Sequence, residues 1–185
     1  IIMKNMAEEN KPLTELDELG EFGLIDQLTQ DFPLRNASSL KGVGDDAAVI
    51  NHEGYRTLVS VDMLIEGIHF DMTYCPLKHL GYIAAVSNFS DIYAMNGTPT
   101  QIVVGLGVSS RFSVEALDEL YAGIRLACER YNVDLAGGDT TSSKTGLVIS
   151  ITVIGMAKDE DIVYRSGAKK NDLLCVSGDL GGATT

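Results

Sequence analysis

The twelve residues GLVISITVIGMA, 146–157, constrain the fold more than any other stretch. Apolar side chains occupy both odd and even positions, so a strand here is covered on both faces or lies in the middle of a sheet. It is the longest apolar run in the chain, and it falls well short of the roughly 20 residues that a membrane-spanning helix needs. The chain is therefore read as a globular protein in which this strand is central or covered on both sides.

Helix and strand signals alternate elsewhere, so the partners and cover of that strand are at hand. Residues 15–31 read as an amphipathic helix, with Leu19, Phe22, Ile25 and Leu28 at helical spacing. AAVI (47–50) and TLVSVDM (57–63), joined by NHEGYR with Gly54 at the turn, read as a hairpin. PLKHLGYIAAVSNFSDIYAMNG reads as a helix with Pro76 in its first turn and Gly97 at its C-terminal cap, and TQIVVGLGV as the strand after it. The helix from Ser113 has the fullest local code. Ser113 is an N-cap, Phe112 and Leu117 are spaced as a hydrophobic staple, and Leu117, Leu120, Tyr121, Ile124 and Tyr131 form one apolar stripe. VDLAGGDTT reads as a short strand running into a turn. The sum is an α/β (α+β) class protein, a mixed β-sheet backed by helices.

Beyond Lys158 the composition turns charged, KDEDIVYRSGAKKND, and a boundary is expected there. Residues 1–19 read as an N-terminal extension, 20–157 as one domain and 158–185 as the start of another. The 14 Lys and Arg against 26 Asp and Glu give a net charge of −12, which repels phosphate backbones and argues against nucleic acid as a partner. Cys75, Cys128 and Cys175 are widely spaced beside apolar residues with no CxxC pair. They read as buried thiols in a reducing compartment. The first residues, with acids and amides in place of a basic start and an apolar stretch, do not read as a signal peptide. A cytoplasmic location with no membrane partner is expected.

Single aspartates recur at the edges of the apolar segments. Asp45 and Asp46 stand at a strand entrance in LKGVGDDAAVI, Asp62 at a strand end, Asp91 within a helix and Asp139 at a strand-to-turn junction after Gly137 and Gly138. Any one of them serves well as a cap, a turn former or a solvated surface acid. Taken together, with no Lys or Arg within three residues of Asp46, Asp62, Asp91 or Asp139, they suit divalent cations instead. Oxygen-only donors favour Mg²⁺ or Ca²⁺, and neither an EF-hand loop nor a His and Cys cluster for zinc is present. A GxxxxGK[ST] phosphate loop is absent as well, so a bound nucleotide would be held through metals on its phosphates.

GVGDDAAV, SVDMLIEGIHF, AVSNFSDIYAMNGTP, LAGGDTT and RSGAKKNDLLCVSGDLG, in that order, resemble the thiamine-monophosphate kinase family of the aminoimidazole-ribonucleotide-synthetase-like superfamily. The resemblance runs from about Gly20 to Thr185. It implies ATP-dependent phosphorylation of thiamine monophosphate to thiamine diphosphate, several Mg²⁺ ions, and a homodimer formed through the apolar sheet face. It also implies that the chain is an N-terminal domain followed by the opening of a second one. By the same resemblance the metal ligands are Asp46, Ser60, Asp62, Asp91 and Asp139, with Asp45 a weaker neighbour. ATP contacts fall on Gly138, Asp139 and Arg165, and His69 contacts the substrate; Tyr121, from its place on its helix and not from the resemblance, is a weaker candidate for reaching the nucleotide. His69 between Ile68 and Phe70 has an alternative reading as a packed core histidine, and Tyr121 as core packing on its stripe. Two further readings stand beside the kinase: another ATP-using enzyme of the superfamily, of selenophosphate or aminoimidazole ribonucleotide synthetase type, or a noncatalytic Mg²⁺-nucleotide binding module.

Overall fold

The computed structural model describes residues 16–41, 43, 49–50, 56–164, 167–176 and 178. Elements follow in the order α1 (Leu16–Thr29), β1 (Ser39–Lys41), β2 (Val49–Ile50), β3 (Arg56–Ile65), α2 (Leu77–Ala94), β4 (Thr98–Val108), α3 (Val114–Tyr131), β5 (Asp134–Ser142) and β6 (Leu147–Ala157). The main sheet has four strands in the order β3-β6-β4-β5, and β1 with β2 forms a separate antiparallel pair.

The apolar run at 147–157 is indeed an inner strand. β6 lies antiparallel to β3 on one side and to β4 on the other, while β4 and β5, linked by α3, run parallel. Its residues alternate between buried (Leu147, Ile149, Ile151, Val153) and half-buried (Val148, Ser150, Thr152, Ile154). One face is thus sealed by α2 and α3, and the other stays partly open. The core forms where Leu80, Ala84, Phe89 and Ile92 of α2 and Leu117, Leu120 and Ile124 of α3 meet Ile102, Val104, Ile149 and Ile151 of the sheet.

α2 and α3 approach so closely that side chains are excluded at two points. A Cβ on Gly81 would stand 2.0 Å from Leu120 O, and one on Gly123 would stand 1.9 Å from Lys78 O. α3 is built as its sequence predicts: Ser113 Oγ accepts from the Ala116 N–H, and Phe112 and Leu117 are both buried. At the base of the sheet the buried Asp134 carboxylate accepts from the backbone N–H groups of Arg35 (2.6 Å) and Asn36 (3.0 Å) and from Ser39 Oγ (2.7 Å). Those bonds satisfy a buried charge and fasten the segment after α1 to the start of β5.

Several expectations are revised. The hairpin of residues 47–50 with 57–63 does not form among the described residues. β2 pairs with β1, and β3 pairs along its whole length with β6, from Arg56↔Ala157 to Ile65↔Val148. Pro76 caps α2 instead of standing in its first turn, and the left-handed residue ending the helix is Asn96, not Gly97. The Gly97 N–H bonds Ile92 O and the Asn96 N–H bonds Tyr93 O, each over 2.9 Å, which closes the C-terminus with two paired carbonyls. GGDTT continues β5 as a strand because β4 supplies a parallel partner out to Val108↔Ser142. In α1 the non-helical Gly20 breaks the phase, so Leu24 and Leu28 are buried whereas Phe22 is 80% exposed. Of the three thiols only Cys128 is buried; Cys75 is half-buried and Cys175 exposed.

Candidate active site

Period-two alternation decides what β3 presents to α2. Leu58, Ser60, Asp62 and Leu64 are the more buried set and turn toward the helix, while Val59, Val61 and Met63 turn away. Ser60 Oγ donates to Asp91 Oδ2 over 2.6 Å, joining strand to helix through a charge-assisted bond. Two residues along, the Asp62 backbone N–H donates to Asn88 Oδ1 over 3.0 Å, and Asn88 Nδ2 donates to Ala84 O over 2.9 Å. Asn88 is only 1% exposed, so its amide is a structural staple that fixes Asp62 against the helix. Ser60, Asp62 and Asp91 are all half-buried.

Ser60 and Asp91 line a cavity of ≈720 Å³ between β3 and the C-terminal end of α2, together with Val163 and Tyr164. The segment after β6 is held there by the Val163 N–H to Met95 O (3.1 Å) and Asn96 Nδ2 to Asp161 O (2.9 Å). Arg165, next along the chain, lies outside the described residues, as do Asp45 and Asp46.

Gly138 and Asp139 are placed elsewhere on the sheet. The register runs Asp62↔Ile151↔Val104↔Gly138, which puts Gly138 level with Asp62 but three strands away, at roughly 14 Å for strands ~4.8 Å apart. Gly138 has no room for a side chain, since a Cβ would lie 2.0 Å from Val104 O. Asp139 is exposed and sits in a strand, not at the strand-to-turn junction expected of it. Tyr121 shares with both a cavity of only ≈30 Å³, about the room of one water. Its ring is buried edge-on against Phe32, and burial raises the pKa of its hydroxyl above the ordinary value. Tyr121 is therefore a core residue in contact with this corner. Among the described residues no group of three or more His, Cys, Asp or Glu is close enough to hold a metal ion by itself.

His69 is exposed in the turn after β3, not packed in the core. The Ile65 backbone N–H donates to its Nδ1 over 3.0 Å, while its own N–H donates to Ile65 O over 2.9 Å. At about 3.3 Å of rise per residue the end of β3 lies roughly 10 Å from Asp62. Asn88 and Glu66, the residues that fix Asp62 and this turn, were not among the candidates. Asn88 had left a trace in the sequence, a polar side chain three residues before Asp91 on one helical face.

The donors at β3 and α2 are two carboxylates and one hydroxyl, with no imidazole or thiolate among them. That set fits Mg²⁺, which takes one or two carboxylates and completes its shell with water and phosphate oxygens, and does not need a protein cage.

Residues 44–157 match the family described as AIR synthase related protein, N-terminal domain. The chain is 37% identical over 164 residues to the thiamine-monophosphate kinase of Bacillus subtilis (strain 168), a match covering 88% of this chain and 50% of that protein. Among solved structures, thiamine-monophosphate kinase from Stenotrophomonas maltophilia K279a superposes with a TM-score of 0.69 at 28% identity, over 82% of this chain and 46% of that one. AaThiL complexed with AMPPCP and TMP superposes with a TM-score of 0.59 at 31% identity, over 86% and 48%. The chain thus spans about half the length of the curated relatives it matches. The chain belongs to the AIR synthase related protein family, whose N-terminal domain occupies residues 44–157.

Proposed function

We propose that the chain is the N-terminal part of a thiamine-monophosphate kinase, which transfers the γ-phosphoryl group of ATP to the phosphate of thiamine monophosphate and yields thiamine diphosphate and ADP. The observation that carries this reading is the bonded oxygen pair of Ser60 and Asp91 in the wall of a cavity large enough for a polyphosphate, with Asp62 two residues along on the same side of β3. Support for the substrate pair comes from similarity to proteins named thiamine-monophosphate kinase, one of them in complex with AMPPCP and TMP.

In the transfer an oxygen of the acceptor phosphate bonds to Pγ while the bond from Pγ to the bridging oxygen of ADP breaks. A phosphate monoester has its second pKa near 6, so that oxygen is already largely unprotonated at neutral pH. No side chain is asked to act as general base. Positioning and charge neutralisation are what remain for the protein to supply. Ser60, Asp62 and Asp91 would hold Mg²⁺, with Asp46 and, more weakly, Asp45 as further ligands. Asp139 and Gly138 would contact ATP and metal from β5, where Tyr121 lines the same small cavity, and Arg165 would contact the ATP phosphates. His69 contacts thiamine monophosphate. Magnesium held there would supply charge neutralisation for the phosphate oxygens. The Ser60 hydroxyl donates to Asp91 and so turns its lone pairs outward.

The partly open sheet face suits a homodimer, and a cytoplasmic enzyme working on small molecules, with no nucleic acid or membrane partner, completes the reading. No helix among the described residues is long and apolar enough to cross a membrane. The test is calorimetric titration with ATP in the presence and absence of Mg²⁺, followed by an assay of thiamine diphosphate formation by the full-length enzyme. Mg²⁺-dependent ATP binding with product formation is expected. Binding without turnover on any phosphorylated acceptor would favour a noncatalytic module, and turnover on another acceptor a different enzyme of the superfamily.

A further inference from the structure

The turn that carries His69 is held by Glu66, which stands outside the proposed metal and ATP contacts. Glu66 grips Leu147 twice: its backbone N–H donates to Leu147 O over 3.0 Å, and its Oε2 accepts from the Leu147 N–H over 2.9 Å. Its other oxygen, Oε1, is ion-paired with Arg111, whose guanidinium also lies 4.9 Å from the centre of the Phe112 ring. One carboxylate thereby links three segments: the turn after β3, the start of β6, and the connection from β4 to α3. The Glu66 side chain is 15% exposed, so its bond to the Leu147 N–H is partly buried, while Arg111, 54% exposed, pairs with it from the solvent side. Gly146 makes room for it. A Cβ there would lie 2.6 Å from Glu66 Oε2, and the φ of +79° suits glycine in any case.

From this anchor the turn folds back on itself. The Gly67 N–H donates to Phe70 O over 2.8 Å, and the Ile68 and His69 N–H groups both reach Ile65 O. The Ile65 N–H, always a donor, points at His69 Nδ1, so Nδ1 carries the lone pair and the ring proton sits on Nε2. His69 therefore offers a neutral Nε2–H to solvent, suited to a hydrogen-bond acceptor and unsuited to another donor. We propose that Glu66 is the positioning residue for His69, holding the turn so that the imidazole presents Nε2–H to an acceptor atom of the phosphorylated substrate. The proposal rests on the reading of His69 as a substrate contact given above.

The test compares Glu66→Ala, Glu66→Gln and His69→Ala in the full-length enzyme. Long-range ¹H–¹⁵N NMR on the ligand-free protein reads the His69 tautomer without any turnover. The expected result is an Nε2–H tautomer in the parent protein, a mixture of tautomers in Glu66→Ala, and retention in Glu66→Gln, whose side-chain oxygen still accepts from Leu147. Kinetically, Glu66→Ala should raise KM for thiamine monophosphate about tenfold, the scale of one lost hydrogen bond, with kcat and KM for ATP little changed. His69→Ala should do the same, and the double variant should be no worse than His69→Ala alone. An unchanged tautomer in Glu66→Ala, or multiplicative effects in the double variant, overturns the positioning role. If His69→Ala leaves KM for thiamine monophosphate unchanged, the substrate-contact reading fails, and the tautomer measurement still decides what Glu66 does.

Discussion

Asp91 reaches across from α2 to accept the Ser60 hydroxyl, and an asparagine there keeps an oxygen for that bond while removing the charge. Asp91→Asn in the full-length enzyme should therefore fold and melt close to the parent, yet lose on the order of 100-fold or more in kcat, since several kcal/mol of transition-state charge stabilisation pass through such a ligand. Near-normal turnover, with thiamine diphosphate followed directly, would remove Asp91 from the site. Cys128 makes a prediction of another kind. Burial pushes its thiol up to about 12 from an ordinary 9.0. In the unfolded chain the proton leaves first, so between about pH 9 and pH 12 the unfolded state binds fewer protons and stability falls as pH rises. The slope from this one group approaches about 1.4 kcal/mol per pH unit. Denaturant melts across that range should show a shallower fall for Cys128→Ala than for the parent, and identical slopes would contradict the assignment.

At the scale of elements, the contact between α2 and α3 depends on two positions where backbone meets backbone. Gly81→Ala and Gly123→Ala each force the helices apart, and overpacking of this sort costs about 1–3 kcal/mol. For a domain of this size that lowers Tm by about 2–4 °C per kcal/mol, which calorimetry resolves, and an unchanged Tm would mean that the helices separate freely. Neither glycine stands out in the sequence, because the surface each one meets belongs to another helix some 40 positions away. Local codes were legible: the Ser113 cap, the Phe112 and Leu117 staple and the stripe of α3 need nothing beyond their own segment. Pairing was not. The turn-like GGDTT becomes strand only beside β4, and β3 leaves the expected hairpin for β6, more than 80 residues downstream. The candidate site divides the same way. Ser60 and Asp91, 31 positions apart, could be set side by side only through the family resemblance, whereas Asn88 and Glu66 act through bonds that tertiary structure alone creates.

For the molecule as a whole, the sheet face away from the helices presents Val59, Val61 and Met63, 64%, 59% and 51% exposed. An exposed apolar face of this kind suits the proposed homodimer. Val61→Glu leaves the helix side of β3 untouched, so it should convert the dimer to a folded monomer in light scattering with little change in the monomer's helical signal. A dimer that persists at every concentration would place the interface elsewhere. The sheet order has a consequence in time as well as in space. β6 is the last of its strands to be synthesised, yet it occupies the place between the first and the second, with β3 on one flank and β4 on the other. While a ribosome is still making residues 147–157, β3 has no main-sheet neighbour and β4 has only β5. Pairing that spans so much chain is slow to nucleate, and open strand edges are prone to association in the meantime. β3 can therefore gain its main-sheet partner only after residues 147–157 have been made, and the whole of the four-stranded sheet depends on the strand that is synthesised last.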